Sequence, residues 1–172
     1  MKETLFTPKK IESLLKELET ELKEQNIIGE ICLYGGAVMC LVYQARPATK
    51  DVDAIFEPTK KIRESIEKIA INHSLRADWL NDALKGFLVE HSRKIIYDWE
   101  YLKVYVPETD YLLAMKCLSS RLDTFDKEDI LFLIKKLNLK TPEEVYKIIE
   151  FYYPKNRIKP ATQFLLEEIF EL

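Results

Sequence analysis

The chain has 172 residues, with 47% hydrophobic and 32% charged residues, a balance that excludes disorder and leaves room for about one ordinary domain. Its formal charge of −3 excludes a protein that coats nucleic acid through bulk positive charge, but not a local basic groove for one nucleotide or one RNA end. The charged N-terminus lacks a signal-peptide core and no run reaches the ~18 apolar residues of a membrane span, so the expectation is a cytoplasmic protein with no membrane partner.

In chain order, Thr7-Pro8 reads as an N-cap with proline at the first helical position. Ile11, Leu14, Leu15, Leu18 and Leu22 then recur at helical spacing, predicting a helix over 8–25. Residues 30–34 (EICLY) read as a short buried strand ended by Gly35-Gly36, and 37–43 (AVMCLVY) as a buried helix. A loop over 44–50 leads to a second strand over 51–56 (DVDAIF), and a surface helix follows over 60–70.

Residues 78–82 (DWLND) open a short helical stretch that ends near Gly86. Residues 94–97 and 101–106 read as paired strands joined by a turn over 98–100. The rest is helical: 109–120, 126–137, 142–152 and 161–170. The order predicts an α+β fold, a small mixed sheet with flanking helices over 1–107, followed by a helical region over 108–172 packed on it.

Cys32, Cys40 and Cys117 are odd in number and form no CxxC pair, so they read as reduced thiols, the first two as small core residues. His73 and His91 lack metal-ligand spacing. Tyr97, Trp99, Tyr101 and Tyr105 read as sheet packing rather than base stacking, and Lys155, Arg157 and Lys159 as a solvated face.

Two features point to chemistry. A strand that ends in two glycines before a helix lets a phosphate approach the backbone, where free N–H groups await it. Asp51 and Asp53 alternate along a strand and so project to one side, with Val52, Ala54 and Phe56 on the other. Two adjacent carboxylates repel unless a cation holds them, and hard oxygen donors suit magnesium.

Gly35-Gly36, a short helix, then Arg46, Thr49, Asp51 and Asp53 in an R-x-x-T-x-D-x-D pattern resemble the nucleotidyltransferase superfamily signature. Asp78 to Asp82, with Lys85-Gly86-Phe87, is similar to a stretch in an uncharacterised prokaryotic nucleotidyltransferase-like group. Leu112 to Lys116, Arg121, and Asp126 to Ile130 resemble a helical motif which that group shares with AbiEii-type toxins.

The resemblance implies a nucleotidyltransferase fold, and Mg2+ (with Mn2+ as an alternative) held by Asp51 and Asp53. It implies a nucleoside triphosphate cradled by Gly35 and Gly36, with Arg46 and Thr49 in the same nucleotide-binding pattern. It gives phosphate neutralisation to Lys116, assisted by Arg121, and contacts with those basic residues or the acceptor to Asp126 and Asp129. The implied acceptor is an RNA end, a protein or a small molecule, and an antitoxin protein is an implied partner.

On the residues alone, Lys116 is equally a lysine snorkelling from an apolar helix, and Asp126 and Asp129 compete as helix-terminal charge. Asn81 reads as a cap, and Asp82 is open between capping and the site. One departure bears on activity. Active relatives carry a third carboxylate on a neighbouring strand, and the expected equivalent, 102–106, has no acid. Asp98, Glu100, Glu90 and Asp82 are the candidates for it, or it is missing, in which case the alternative is a catalytically inactive module on the same fold that binds a nucleotide or a partner protein.

Overall fold

A computed structural model describes residues 3–119 and 124–171. They form two compact units, Met1–Leu88 with Arg93–Pro107, and Val89–Ser92 with Glu108–Leu172. The fold is α+β.

The first unit runs α1 (Pro8–Glu24), β1 (Gly29–Tyr34), α2 (Gly35–Leu41), β2 (Val52–Glu57), α3 (Thr59–His73), β3 (Leu80–Asn81), β4 (Arg93–Asp98) and β5 (Leu102–Pro107). The Thr7 side chain caps α1 by accepting from Lys10 N at 3.2 Å, with Pro8 in the first turn. The buried stripe of α1 is Ile11, Leu14, Leu15, Leu18 and Leu22.

The five strands lie in the order β3-β2-β1-β5-β4. β1 is antiparallel to β2 and parallel to β5, β2 is parallel to β3, and β4 and β5 are antiparallel, so the sheet is mixed. The register stacks Leu33 beside Ala54, and Ile31 beside Phe56 and Val104, on one face. That face meets the helices: a Cβ added at Gly29 would lie 2.9 Å from Leu22 of α1 and 3.0 Å from Ile62 of α3. Tyr34 and Asp53 pair on the opposite face.

Two expectations need correction. The DWLND stretch is not helical: Leu80-Asn81 pairs in parallel with β2, and turns follow over 83–87. Trp79 decides this, because its ring is buried, its Nε1 donates to Ile66 O at 3.1 Å, and its carbonyl accepts from Val52 N at 3.0 Å. The backbone is thereby committed to the sheet edge. The strand at 102–106 does not neighbour the acidic strand either: β5 pairs with β1 and β4.

In the second unit, α4 (Thr109–Leu118) is buried along nearly its whole length and packs with α5 (Thr124–Lys136) and α6 (Pro142–Tyr152). A capping box starts α6: Thr141 Oγ1 accepts from Glu144 N, and the Glu144 carboxylate accepts from Thr141 N. A short 3-10 turn (Lys155–Arg157) precedes α7 (Pro160–Glu171), where Thr162 Oγ1 donates to Cys117 O at 2.8 Å. Tyr111 lies at the centre of this unit. Its hydroxyl shares a 2.8 Å hydrogen bond with Tyr153 and accepts from Val89 N at 3.2 Å, while its ring stacks on His91 at 3.8 Å.

Candidate functional site

The site of the first unit is built where β1 turns into α2. Gly35 takes φ +61°, a left-handed conformation that a side chain resists. A Cβ there would lie 3.1 Å from Asp53 Oδ2, so the carboxylate of β2 abuts the turn. Gly36 is bare for a packing reason: a Cβ would collide with Thr49 Oγ1 and lie 3.2 Å from Arg46 Nη1. Thr49 is buried, and its hydroxyl donates to Asp51 O at 3.3 Å. Gly35, Gly36, Arg46, Thr49 and Asp53 thus converge within one unit, and the Asp51 backbone is tied to them through the Thr49 hydroxyl.

The supports of this cluster come from distant parts of the chain. Phe6 forms a two-way bridge with Thr49, its N donating to Thr49 O at 2.8 Å and its O accepting from Thr49 N at 3.0 Å. The Phe6 ring stacks on Trp79 at 5.9 Å, and Trp79 O holds Val52 N. Residues on both sides of Asp51 are therefore pinned, while its own side chain is 42% exposed.

Alternation along β2 buries Val52, Ala54 and Phe56 and puts Asp53 on the opposite face, with Asp51 immediately before the strand. The residue beside Asp53 on β3 is Asn81, an amide rather than an acid. Its Oδ1 accepts from Ala83 N at 3.2 Å, and its Nδ2 lies 3.4 Å from Asp78 O. Asp82 turns to α3, where Arg63 holds it at 2.7 Å.

Asp98 is ruled out as a neighbour of the pair. It pairs in register with Lys103, and Lys103 with Glu30, whereas Asp53 pairs with Tyr34, four residues further along β1, about 13 Å away. Among the described residues, no three histidine, cysteine, aspartate or glutamate side chains are grouped to hold a metal ion. Asp53 on β2 and Asp51 just before it are hard oxygen donors of the kind that could hold Mg2+ or Mn2+.

In the second unit, Lys116 is 9% exposed, with Nζ 3.2 Å from Asp126 Oδ1 and 2.8 Å from Asp129 Oδ2. The lysine does not snorkel. The aspartates stand three residues apart on α5 and so present their carboxylates to one cation. Arg121 lies outside the described residues.

Sequence reasoning passed over Arg76, which belongs to the site's edge. Its Nη1 is 3.8 Å from Asp51 Oδ1, and its Nε and Nη2 donate to Asp78 at 3.0 and 2.8 Å. The available signal was the R-x-D spacing before Trp79.

No helix among the described residues is long and apolar enough to cross a membrane. No curated protein and no solved structure matches the chain. Residues 9–165 match the family described as nucleotidyltransferase of unknown function (DUF6036), a span that takes in the diglycine turn, the acidic pair and the helices after them. The chain belongs to that nucleotidyltransferase family.

Proposed function

We propose that the diglycine–aspartate site binds a nucleoside triphosphate with Mg2+ (or Mn2+) and transfers its nucleoside monophosphate to a hydroxyl acceptor. The observation that carries this reading is the contact of Asp53 with the Gly35 turn, which puts a cation-binding carboxylate beside a backbone cradle. Asp51 and Asp53 hold the ion. The Gly35-Gly36 turn, Arg46 and Thr49 bind and orient the phosphates. Magnesium, when bound, neutralises charge on the triphosphate and the leaving pyrophosphate. The acceptor oxygen bonds to the α-phosphorus as the bond to the β-phosphate bridge breaks. Pyrophosphate leaves and the hydroxyl proton passes to solvent.

The acceptor is an RNA end, a protein or a small molecule. The likeness to AbiEii-type toxins adds a toxin–antitoxin setting to the proposal, with an antitoxin protein as partner. The same likeness assigns phosphate neutralisation to Lys116 and Arg121.

The test is incubation with labelled nucleoside triphosphates, magnesium and bulk RNA. Label transfer that disappears in Asp51→Ala/Asp53→Ala supports the reading. Asn81 beside Asp53 favours a second one: with an amide where a third acid is expected, the site holds nucleotide without transferring it. Metal-dependent nucleotide binding with no label transfer to RNA, to protein or to small-molecule hydroxyl acceptors decides for that alternative, and absence of binding rejects both.

A further inference from the structure

Arg76 is placed with more care than a surface arginine needs. It stands in the loop after α3, three residues before the buried Trp79. Trp79 N donates to Arg76 O at 3.1 Å and Trp79 O accepts from Val52 N at 3.0 Å, so the loop is tied to the residue that follows Asp51. Asp78 takes Nε and Nη2 in a two-pronged grip, which fixes the guanidinium plane. Nη1 is left facing Asp51 at 3.8 Å, beyond hydrogen-bond distance, and the side chain is 69% exposed.

An exposed pair at that distance contributes little to stability, so holding Asp51 is a weak reason for the arrangement. A triphosphate brings more negative charge than one divalent ion cancels. An oriented donor beside an ion-binding carboxylate lies where an oxygen of an ion-bound phosphate arrives.

We infer that Arg76, oriented by Asp78, is a phosphate-contacting residue that recognises the triphosphate at the Asp51 edge of the site. This inference rests on the nucleotide-binding reading above.

Calorimetric titration separates the roles, with Mn2+ alone and then with magnesium and a nonhydrolysable nucleoside triphosphate. Arg76→Ala is expected to weaken nucleotide binding about tenfold to a hundredfold while Mn2+ affinity holds or rises. Arg76→Lys, which keeps the charge but loses the fork, recovers only part, and Asp78→Ala falls between Arg76→Ala and wild type. Unchanged nucleotide affinity in Arg76→Ala, where Asp51→Ala/Asp53→Ala abolishes binding, overturns the arginine's role and leaves the site standing. A wild-type protein that binds no nucleotide overturns both.

Discussion

Asp53 and Gly35 are fitted to each other: the carboxylate oxygen Oδ2 occupies the space a Gly35 side chain would approach, and the glycine's φ of +61° forms the turn that brings it there. Gly35→Ala therefore has two costs, a left-handed backbone of about 1–2 kcal/mol and displacement of Asp53. The expected outcome is a melting temperature lowered by several degrees together with weakened Mn2+ binding. Asp53→Ala in the same background tests the linkage, since it relieves the crowding but not the backbone strain. Full recovery of stability in the double variant would show that the backbone term is absent.

Gly36 and Thr49 form a second pair, coupled by packing. Gly36→Ala drives a methyl into Thr49 Oγ1 and is expected to destabilise by about 1–3 kcal/mol. Thr49→Ala removes that oxygen, so the double variant should be more stable than the sum of the single effects. Urea unfolding of the four proteins measures the coupling, and simple additivity would count against the contact.

Lys116 answers two buried carboxylates in the second unit. Lys116→Met removes the buried cation that Asp126 and Asp129 share and is expected to cost about 3–5 kcal/mol in denaturant unfolding. Asp126→Asn in that background should return part of it by removing one of the two buried carboxylate charges that faced the lysine. A Lys116→Met protein as stable as wild type would mean that the lysine is not held by these partners.

Asn81→Asp puts a third carboxylate beside Asp53. Without metal the new charge repels its neighbour and lowers stability. With magnesium or manganese the loss should reverse, so this variant's melting temperature should rise more with metal than that of wild type. Label transfer that increases in the same variant would tie a missing acid to low activity. Equal metal responses in the two proteins would show that Asn81 does not face the ion.

The thiols supply a pH prediction. Burial pushes Cys32 up to about 11, against smaller opposing effects of the Tyr34 hydrogen bond and the Arg93 charge, and burial alone pushes Cys117 up to about 12. A raised folded value means that the folded protein keeps protons the unfolded chain releases. That stability is complete below the unfolded value near 9.0 and is lost as pH rises towards 11 and 12. Tyr152 and Tyr153, raised chiefly by burial and next by hydrogen bonds to Asp110 and Tyr111, act in the same alkaline direction. Urea midpoints should fall above pH 9, less steeply in Cys32→Ala/Cys117→Ala, and native thiols should resist a disulfide reagent at pH 8.

Much of the first unit was readable from local pattern. The Thr7-Pro8 cap, the helical spacing from Ile11 to Leu22 and the alternation through Val52, Ala54 and Phe56 depend on neighbours within a turn or a pleat. The 78–82 stretch misled because Trp79 is directed by Ile66 and Val52, partners 13 and 27 residues away, rather than by helical propensity.

Local pattern was enough to put Asp53 opposite Val52, Ala54 and Phe56 on a strand that follows a glycine turn, since side-chain parity along a strand is a local property. Which strand lies beside the acids, and therefore that Asn81 rather than a residue of β5 faces Asp53, was decided only in the folded sheet. So were the burial of Lys116 between two aspartates and the aim of Arg76 at Asp51. Strand order and ion pairing are contacts between distant segments, and they are settled by which packing buries the most apolar surface while satisfying the polar groups that are buried with it.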